Sequence, residues 1–449
     1  MPKRRRRVDV LVIGAGAAGL AAARDLSHSG LRLTVVEARP RIGGRILTLH
    51  DPRAPLPVEL GAEFIHGEAP ETFAVAEAAR LLVLELPGLH EVASAGRFTP
   101  LGNFWGTIDR MNRDLARRIG RRGKDLPVSE YLSHGRLPPA RRAFLEDFIG
   151  GYQAAHPERL SARALAEQAE EGGREHKQFR IASGEDALVR WLRDGLDPER
   201  TEVRLSTVAE ILTWKPGQVT LTCRGGDGAL LEPLRATAAV VTLPHAVLRA
   251  GSLRFDPALP AKQRALAGIE TGHVFKIVLL FRRAFWDDPD FLTTRRARGH
   301  ATGAGLNFLH AHGAELPTWW TAAPARAALL TGWVGGKRAE SLLAQPLAIR
   351  LERSVAALAS ILAVPRRELE DQLEAWATHD WRADPFSRGA YSYIGVGGGG
   401  APQALARPVA GTLFFAGEAT NGAESGTVAG ALASGHRAAR EVLRSIRST

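Results

Sequence analysis

The stretch Gly14-Ala-Gly16-Ala-Ala-Gly19 constrains this chain more than any other, because of what flanks it. GxGxxG spacing is weak by itself in a sequence with 47 glycines. Here it follows the apolar, β-branched run Val8–Ile13, which reads as a buried parallel strand. It opens an Ala/Leu-rich helix expected over Ala17–Ser29, and a second strand over Leu31–Val36 ends in the acidic Glu37. That is the βαβ dinucleotide fingerprint, with its acidic residue about 20 positions on. Gly14 permits the tight turn, Gly16 lets the backbone approach a pyrophosphate, and Gly19 lets helix and strand pack closely. The helix N-terminus offers free N–H groups and the positive end of its dipole to phosphates. Glu37 is placed to accept hydrogen bonds from a ribose diol. A βαβ unit without a ligand is the bland alternative, and the context weighs against it.

The fingerprint also decides how the N-terminus is read. Arg4–Arg7 ahead of Val8–Leu20 has the outline of a twin-arginine export signal. Cleavage there would remove the glycines, so the mature chain is expected to begin here and to stay in the cytoplasm, with residues 1–7 as a basic tail. Lys and Arg number 59 against 48 Asp and Glu, a net charge of +11, and only seven of the cations are lysines. A basic protein can bind nucleic acid or an anionic membrane. The basic stretch Arg110–Lys124, however, has no interleaved aromatics and spaces its arginines as on a wetted helix face. No nucleic-acid partner is expected. No membrane partner is expected either, since no apolar run approaches the roughly 20 residues of a spanning helix. The lone cysteine, Cys223, excludes an internal disulfide, a zinc ribbon, a Cys-ligated iron–sulfur cluster and CxxC redox chemistry. His310 and His312 have no acidic partner at ligand spacing, so no metal is expected. There is no GxSxG nucleophile elbow.

Two further stretches narrow the cofactor. Residues 35–46 read VVEARPRIGGRI, in which Gly43-Gly44 allow a backbone turn near phosphates and Arg45 offers a bidentate donor. Residues 411–439 read GTLFFAGEATNGAESGTVAGALASGHRAA, a strand, a Gly-rich turn and a long helix. With the N-terminal fingerprint, these resemble the flavin-containing amine oxidase superfamily of monoamine oxidases, polyamine oxidases and histone demethylases. The FAGEAT…GTVxGALxSG wording is closest to the polyamine oxidase and demethylase side. The resemblance implies FAD, with Glu37 at the adenosine ribose and Arg39, Gly43, Gly44 and Arg45 near the diphosphate. It implies backbone contacts to the flavin from the loop Gly61-Ala62-Glu63-Phe64, and adenine held by the backbone at Val208. Gly417 and Glu418 would neighbour the ribityl–diphosphate region, and Gly426, Thr427 and Val428 would meet the flavin at a helix N-terminus.

At about 150 residues per domain, 449 residues suggest two or three units. The expected fold is α/β: a Rossmann-like FAD-binding domain with an inserted α+β substrate domain and a helical segment. Since both ends carry cofactor motifs, the FAD domain is expected to be discontinuous, over 8–90, 196–250 and 386–445. Residues 91–195, with a helix over Leu160–Glu171, and 251–385 are expected to form the substrate domain.

Four residues stand out for chemistry. Lys276 lies in the apolar strand HVFKIVLLF of a chain that hardly uses lysine. Burying an ammonium is costly unless it is paired, and an edge strand with the lysine snorkelling to water is an equal alternative. The resemblance aligns it with a lysine that holds a water at flavin N5. Trp381 and Tyr391, in WRADPFSRGAYSYIG, match aromatics beside the flavin ring, and His66, in VELGAEFIHG, matches a substrate-binding histidine of polyamine oxidases. For each of the three, ordinary packing is the alternative. Two departures matter. Ala390 stands where monoamine oxidases carry the cysteine linked to FAD, implying non-covalent FAD. Thr427 replaces the second aromatic of the monoamine oxidase cage, which argues against small aromatic amines. The expected function is oxidation of an amine by O₂, with hydride transfer from the carbon next to nitrogen to N5, then imine hydrolysis and release of H₂O₂. An L-amino acid oxidase, a flavin desaturase, and a nucleic-acid- or anion-binding protein with a vestigial flavin site remain as rivals. The oligomeric state is open, a homodimer being one option.

Overall fold

The computed structural model describes residues 8–119, 124–134, 137–171, 177–296 and 305–447. The basic tail, residues 1–7, lies outside them. Strand β1 (Val10–Ile13) sits at the centre of a five-stranded sheet, between β2 (Leu33–Val36) and the strand Ala238–Val241. Thr201–Arg204 and Leu413–Phe415 form its edges. Every pairing is parallel, with Val12 opposite Val35 on one side and Val240 on the other. Both faces of β1 are covered, which is why its sequence is continuously apolar and not alternating. On one face lie helix α1 (Ala17–His28) and the closing helix Val428–Arg447. They meet so closely that a Cβ on Gly435 would stand 2.3 Å from the Ala18 carbonyl oxygen. The other face packs against a mixed four-stranded sheet whose strands Thr207–Lys215 and Gln218–Gly225 pair antiparallel.

The second layer is a seven-stranded sheet in the order 373–378, 274–281, 329–335, 318–321, 308–310, 90–94 and 97–100. Helices Phe104–Ile119, Pro139–Tyr152 and Ala162–Glu171 surround a separate apolar core that includes Met111, Leu115, Leu145 and Ile149. This mixed α/β architecture is the fold class expected from the sequence.

The segment boundaries differ from those expected. Helix Asp186–Asp194 was assigned to the substrate side, yet Leu188, Val189 and Leu192 lie in the α1 core. Leu253, Leu259, Leu266 and Ile269, also assigned there, pack beneath the parallel sheet. In the other direction, His90 begins a strand of the seven-stranded sheet. Each shift has one cause. Amphipathic segments report that they have an apolar face, and not which core it enters.

Candidate active site

A single cavity of about 830 Å³ runs between the two layers. At one end it is lined by Gly14, Gly16, Glu37, Arg39, Gly43, Gly44 and Val208. The Glu37 carboxylate is fixed there by N–H donation from Ala15 and Arg39, both at 2.9 Å. Gly14 has φ +108°, and a Cβ on it would stand 2.6 Å from Thr242 Oγ1. Gly19 does not line the cavity. It lies against the turn, where a Cβ would come within 1.9 Å of the Gly14 carbonyl oxygen. The Arg39 guanidinium donates to Asp384 Oδ1 and Ser387 Oγ, both at 2.8 Å, so it joins a distant segment to the nucleotide motif.

The middle is built by Arg45, Gly417 and Glu418. Arg45 donates to Ala390 O at 2.8 Å and to Glu418 Oε1 at 2.9 Å. Glu418 Oε2 accepts from the Ser392 hydroxyl and from Gly426 N–H at 2.9 Å. Burial alone would raise the Glu418 carboxyl, but Arg45, His245 and the Ser392 hydroxyl outweigh it and hold it below the usual range. Gly417 keeps φ at +126° and donates its N–H to Ser434. Thr427 Oγ1 accepts from Gly430 N–H at 2.9 Å, capping the closing helix just where Gly426, Thr427 and Val428 line the cavity.

The far end holds the chemistry candidates. Lys276 is 4% exposed on a strand flanked on both sides, so the snorkelling alternative fails. Its Nζ stands 2.6 Å from Glu63 Oε2 and donates to Gly61 O at 3.2 Å. Burial pushes Glu63 up, but Lys276 and Arg180 overcome it and the carboxyl stays below its ordinary value. Trp320 Nε1 donates to its other oxygen at 2.9 Å. Trp381 is pinned by donation to Leu60 O at 2.9 Å. The Tyr391 hydroxyl donates to Tyr152 O at 2.8 Å, burial holding it protonated. The Tyr391 ring lies over Gly426, where a Cβ would come within 3.2 Å of Cδ2. His66 hydrogen-bonds Gln178 at 3.2 Å and meets the Tyr152 ring edge-on. Ala62 and Phe64 line the same wall.

The sequence reading missed the rest of this end. His90 is sandwiched between Phe104, at 4.2 Å and 3°, and Phe308, at 4.7 Å and 7°. It hydrogen-bonds His310 at 2.9 Å, and burial lowers the His90 ring to about 4. Trp105, Phe148, Tyr152, Trp320 and Trp333 complete an aromatic chamber. They come from four separate elements, so no single spacing announces them. His312 does meet an acid, Asp147 at 3.2 Å, which sequence distance concealed. Among the described residues, no group of three or more His, Cys, Asp or Glu is placed to hold a metal, and no helix is long and apolar enough to cross a membrane.

The residues present fit an elongated dinucleotide. The cavity joins an acidic, glycine-walled end to an aromatic chamber, with the capped helix N-terminus between them. A family model described as flavin containing amine oxidoreductase matches residues 17–443. The chain is 30% identical over 471 residues to Lysine-specific histone demethylase 1 homolog 2 of Oryza sativa subsp. japonica, with 99% of this chain and 58% of the relative aligned. It thus spans little more than half of that relative's length. Probable polyamine oxidase 4 of Arabidopsis thaliana is 28% identical, over 97% of this chain and 87% of its own. The solved structure of cyclohexylamine oxidase from Brevibacterium oxydans IH-35A superposes with a TM-score of 0.80 at 20% identity, covering 98% of this chain and all of that one.

Proposed function

The chain belongs to the flavin-containing amine oxidoreductases, with FAD as cofactor, and from that premise we propose that it oxidises a small, largely apolar amine and passes the electrons to O₂. One observation carries this reading: the glycine-walled end and the aromatic chamber around Lys276 and Tyr391 are a single cavity. A dinucleotide seated at the first therefore reaches the second. FAD, when bound, supplies a hydride acceptor at ring nitrogen N5.

The chain's own residues do the rest. Glu37 and Val208 would hold the adenosine end, Gly14, Gly16 and the N-terminus of α1 the diphosphate, and Gly426, Thr427, Val428 and the 61–64 loop the ring. With Ala390 beside Arg45 and the only cysteine buried in an unrelated strand, the FAD is non-covalent. Trp381 and Tyr391 orient the amine, and His66 hydrogen-bonds its nitrogen. The Phe104–His90–Phe308 stack and the neutral His310 exclude water and fixed positive charge from the opposite wall. An amine there is bound uncharged, so its α-hydrogen leaves as hydride and the product is an imine that hydrolyses in solvent. The Lys276 ammonium would stabilise charge developing as O₂ is reduced to H₂O₂.

Acid precipitation of the purified protein should release the flavin. Alkyl and cycloalkyl monoamines should bleach the flavin anaerobically and, in air, yield peroxide; polyamines and L-amino acids complete the panel. A colourless protein that takes up no added FAD would overturn the proposal.

A further inference from the structure

Lys276 is one end of a longer acidic chain. Its partner Glu63 lines the main cavity and also a second one of about 40 Å³, bounded by Glu59, Arg180, Val278 and Thr331. Val278 is two residues along the Lys276 strand and so lies on the same face. The volume admits a few waters. Its lining includes the half-buried Pro57, Leu84 and Ala325. Glu59 Oε1 accepts from Glu185 N–H at 2.7 Å and its Oε2 from Thr48 at 2.8 Å. Glu185 is 2% exposed, and among the described residues neither of its carboxyl oxygens has a hydrogen-bond partner. A buried carboxylate left so is untenable; a carboxylic acid is not.

We propose that Glu63, Glu59 and Glu185 form a proton passage between Lys276 and solvent, separate from the amine's chamber. It rests on the oxidase reading above. Reduction of O₂ to H₂O₂ takes two electrons and the N5 hydrogen from the cofactor, plus one further proton. The Lys276 ammonium gives that proton, and the amine left behind is recharged across the 2.6 Å contact by a proton crossing Glu63 from the small cavity. Glu59 and Glu185 replenish it, and solvent reprotonates them. Lys276 and Glu63 end as they began.

The charges facing the passage are Lys276, Glu63, Arg180 and Asp186. Burial, reinforced by Glu59 and Glu63, pushes Glu185 up to about 8. Burial pushes Glu59 up to about 7 against the Glu185 N–H, Thr48 and Lys276. Both acids therefore hold exchangeable protons near neutrality.

The test reduces the FAD-loaded protein photochemically, so no substrate need be known, and mixes it with O₂ in stopped flow. Glu59→Gln should slow reoxidation about tenfold or more, and added formate should restore it. Thermal unfolding of the flavin-free protein gives a second readout. Raised carboxyls stabilise the fold below about pH 4.5 and lose that contribution as pH climbs through their folded values. Glu185→Gln, which does not titrate, should therefore gain melting temperature over wild type as pH rises from about 6 to 9. Wild-type reoxidation in Glu59→Gln, slowing that formate does not rescue, or parallel melting curves for Glu185→Gln would each overturn the passage. Failure of every amine to bleach the flavin would instead overturn the amine oxidase reading, and leaves the photochemical result standing.

Discussion

At the scale of single residues, the Lys276–Glu63 pair makes the sharpest claim. Each charge is buried, and each finds its shortest ion pair in the other. Lys276→Met should slow reoxidation by O₂ about 100-fold. It should also cost roughly 3 kcal/mol of stability, because Glu63 loses its shortest ion pair and keeps only Arg180 at 3.5 Å and the Trp320 hydrogen bond. Adding Glu63→Gln should recover much of the melting temperature but none of the oxidation rate, and recovery of both would show that the lysine only balances charge. His66→Ala should weaken amine binding about tenfold in anaerobic titrations, and unchanged affinity disposes of its role. Composition alone made Lys276 visible, since a chain with seven lysines placed one in an apolar strand. Glu63 was legible only as part of a loop. Its carboxyl meets a partner 213 residues away, and no local pattern carries such information.

Among elements, the turn from β1 to α1 separates two jobs that the glycine motif fuses. A Cβ on Gly16 would meet nothing closer than Gly44 Cα at 3.9 Å, and its φ of −78° suits any residue. Gly16→Ala should leave the flavin-free melting temperature unchanged while weakening FAD retention. Gly19→Ala must displace the Gly14 carbonyl and should lower both, by about 1–3 kcal/mol in stability. Melting with and without added FAD distinguishes these outcomes. The motif was fully readable because strand, glycines and helix are contiguous. The aromatic chamber was not, since Phe104, Phe148, Phe308 and Trp333 share a wall only after helices and sheet have packed.

Across the whole molecule, the Arg39–Asp384 contact joins the nucleotide motif to the segment that carries Trp381 and Tyr391. Burial would raise Asp384, but hydrogen bonds from His379 and Arg39 and the Arg39 charge drive it far below the carboxylate range. A depressed carboxyl stabilises above its unfolded value of about 3.8 and loses that contribution as pH falls toward the folded one. Asp384→Asn should therefore lower the melting temperature at pH 7 and steadily less toward about pH 2, as scanning calorimetry over that range would register. Equal losses at both extremes would argue for packing and not charge. The same long-range architecture bears on how the protein is made. The edge strand Leu413–Phe415 and the helix Val428–Arg447 complete the layer that α1 and β1 begin. On a ribosome, the layer begun by β1 and α1 stays open until its distant closing segments have been made. The nascent glycine turn must wait, its layer incomplete, until nearly four hundred further residues have been synthesised, so chaperone shielding and FAD supply matter chiefly once the segment 413–447 has emerged.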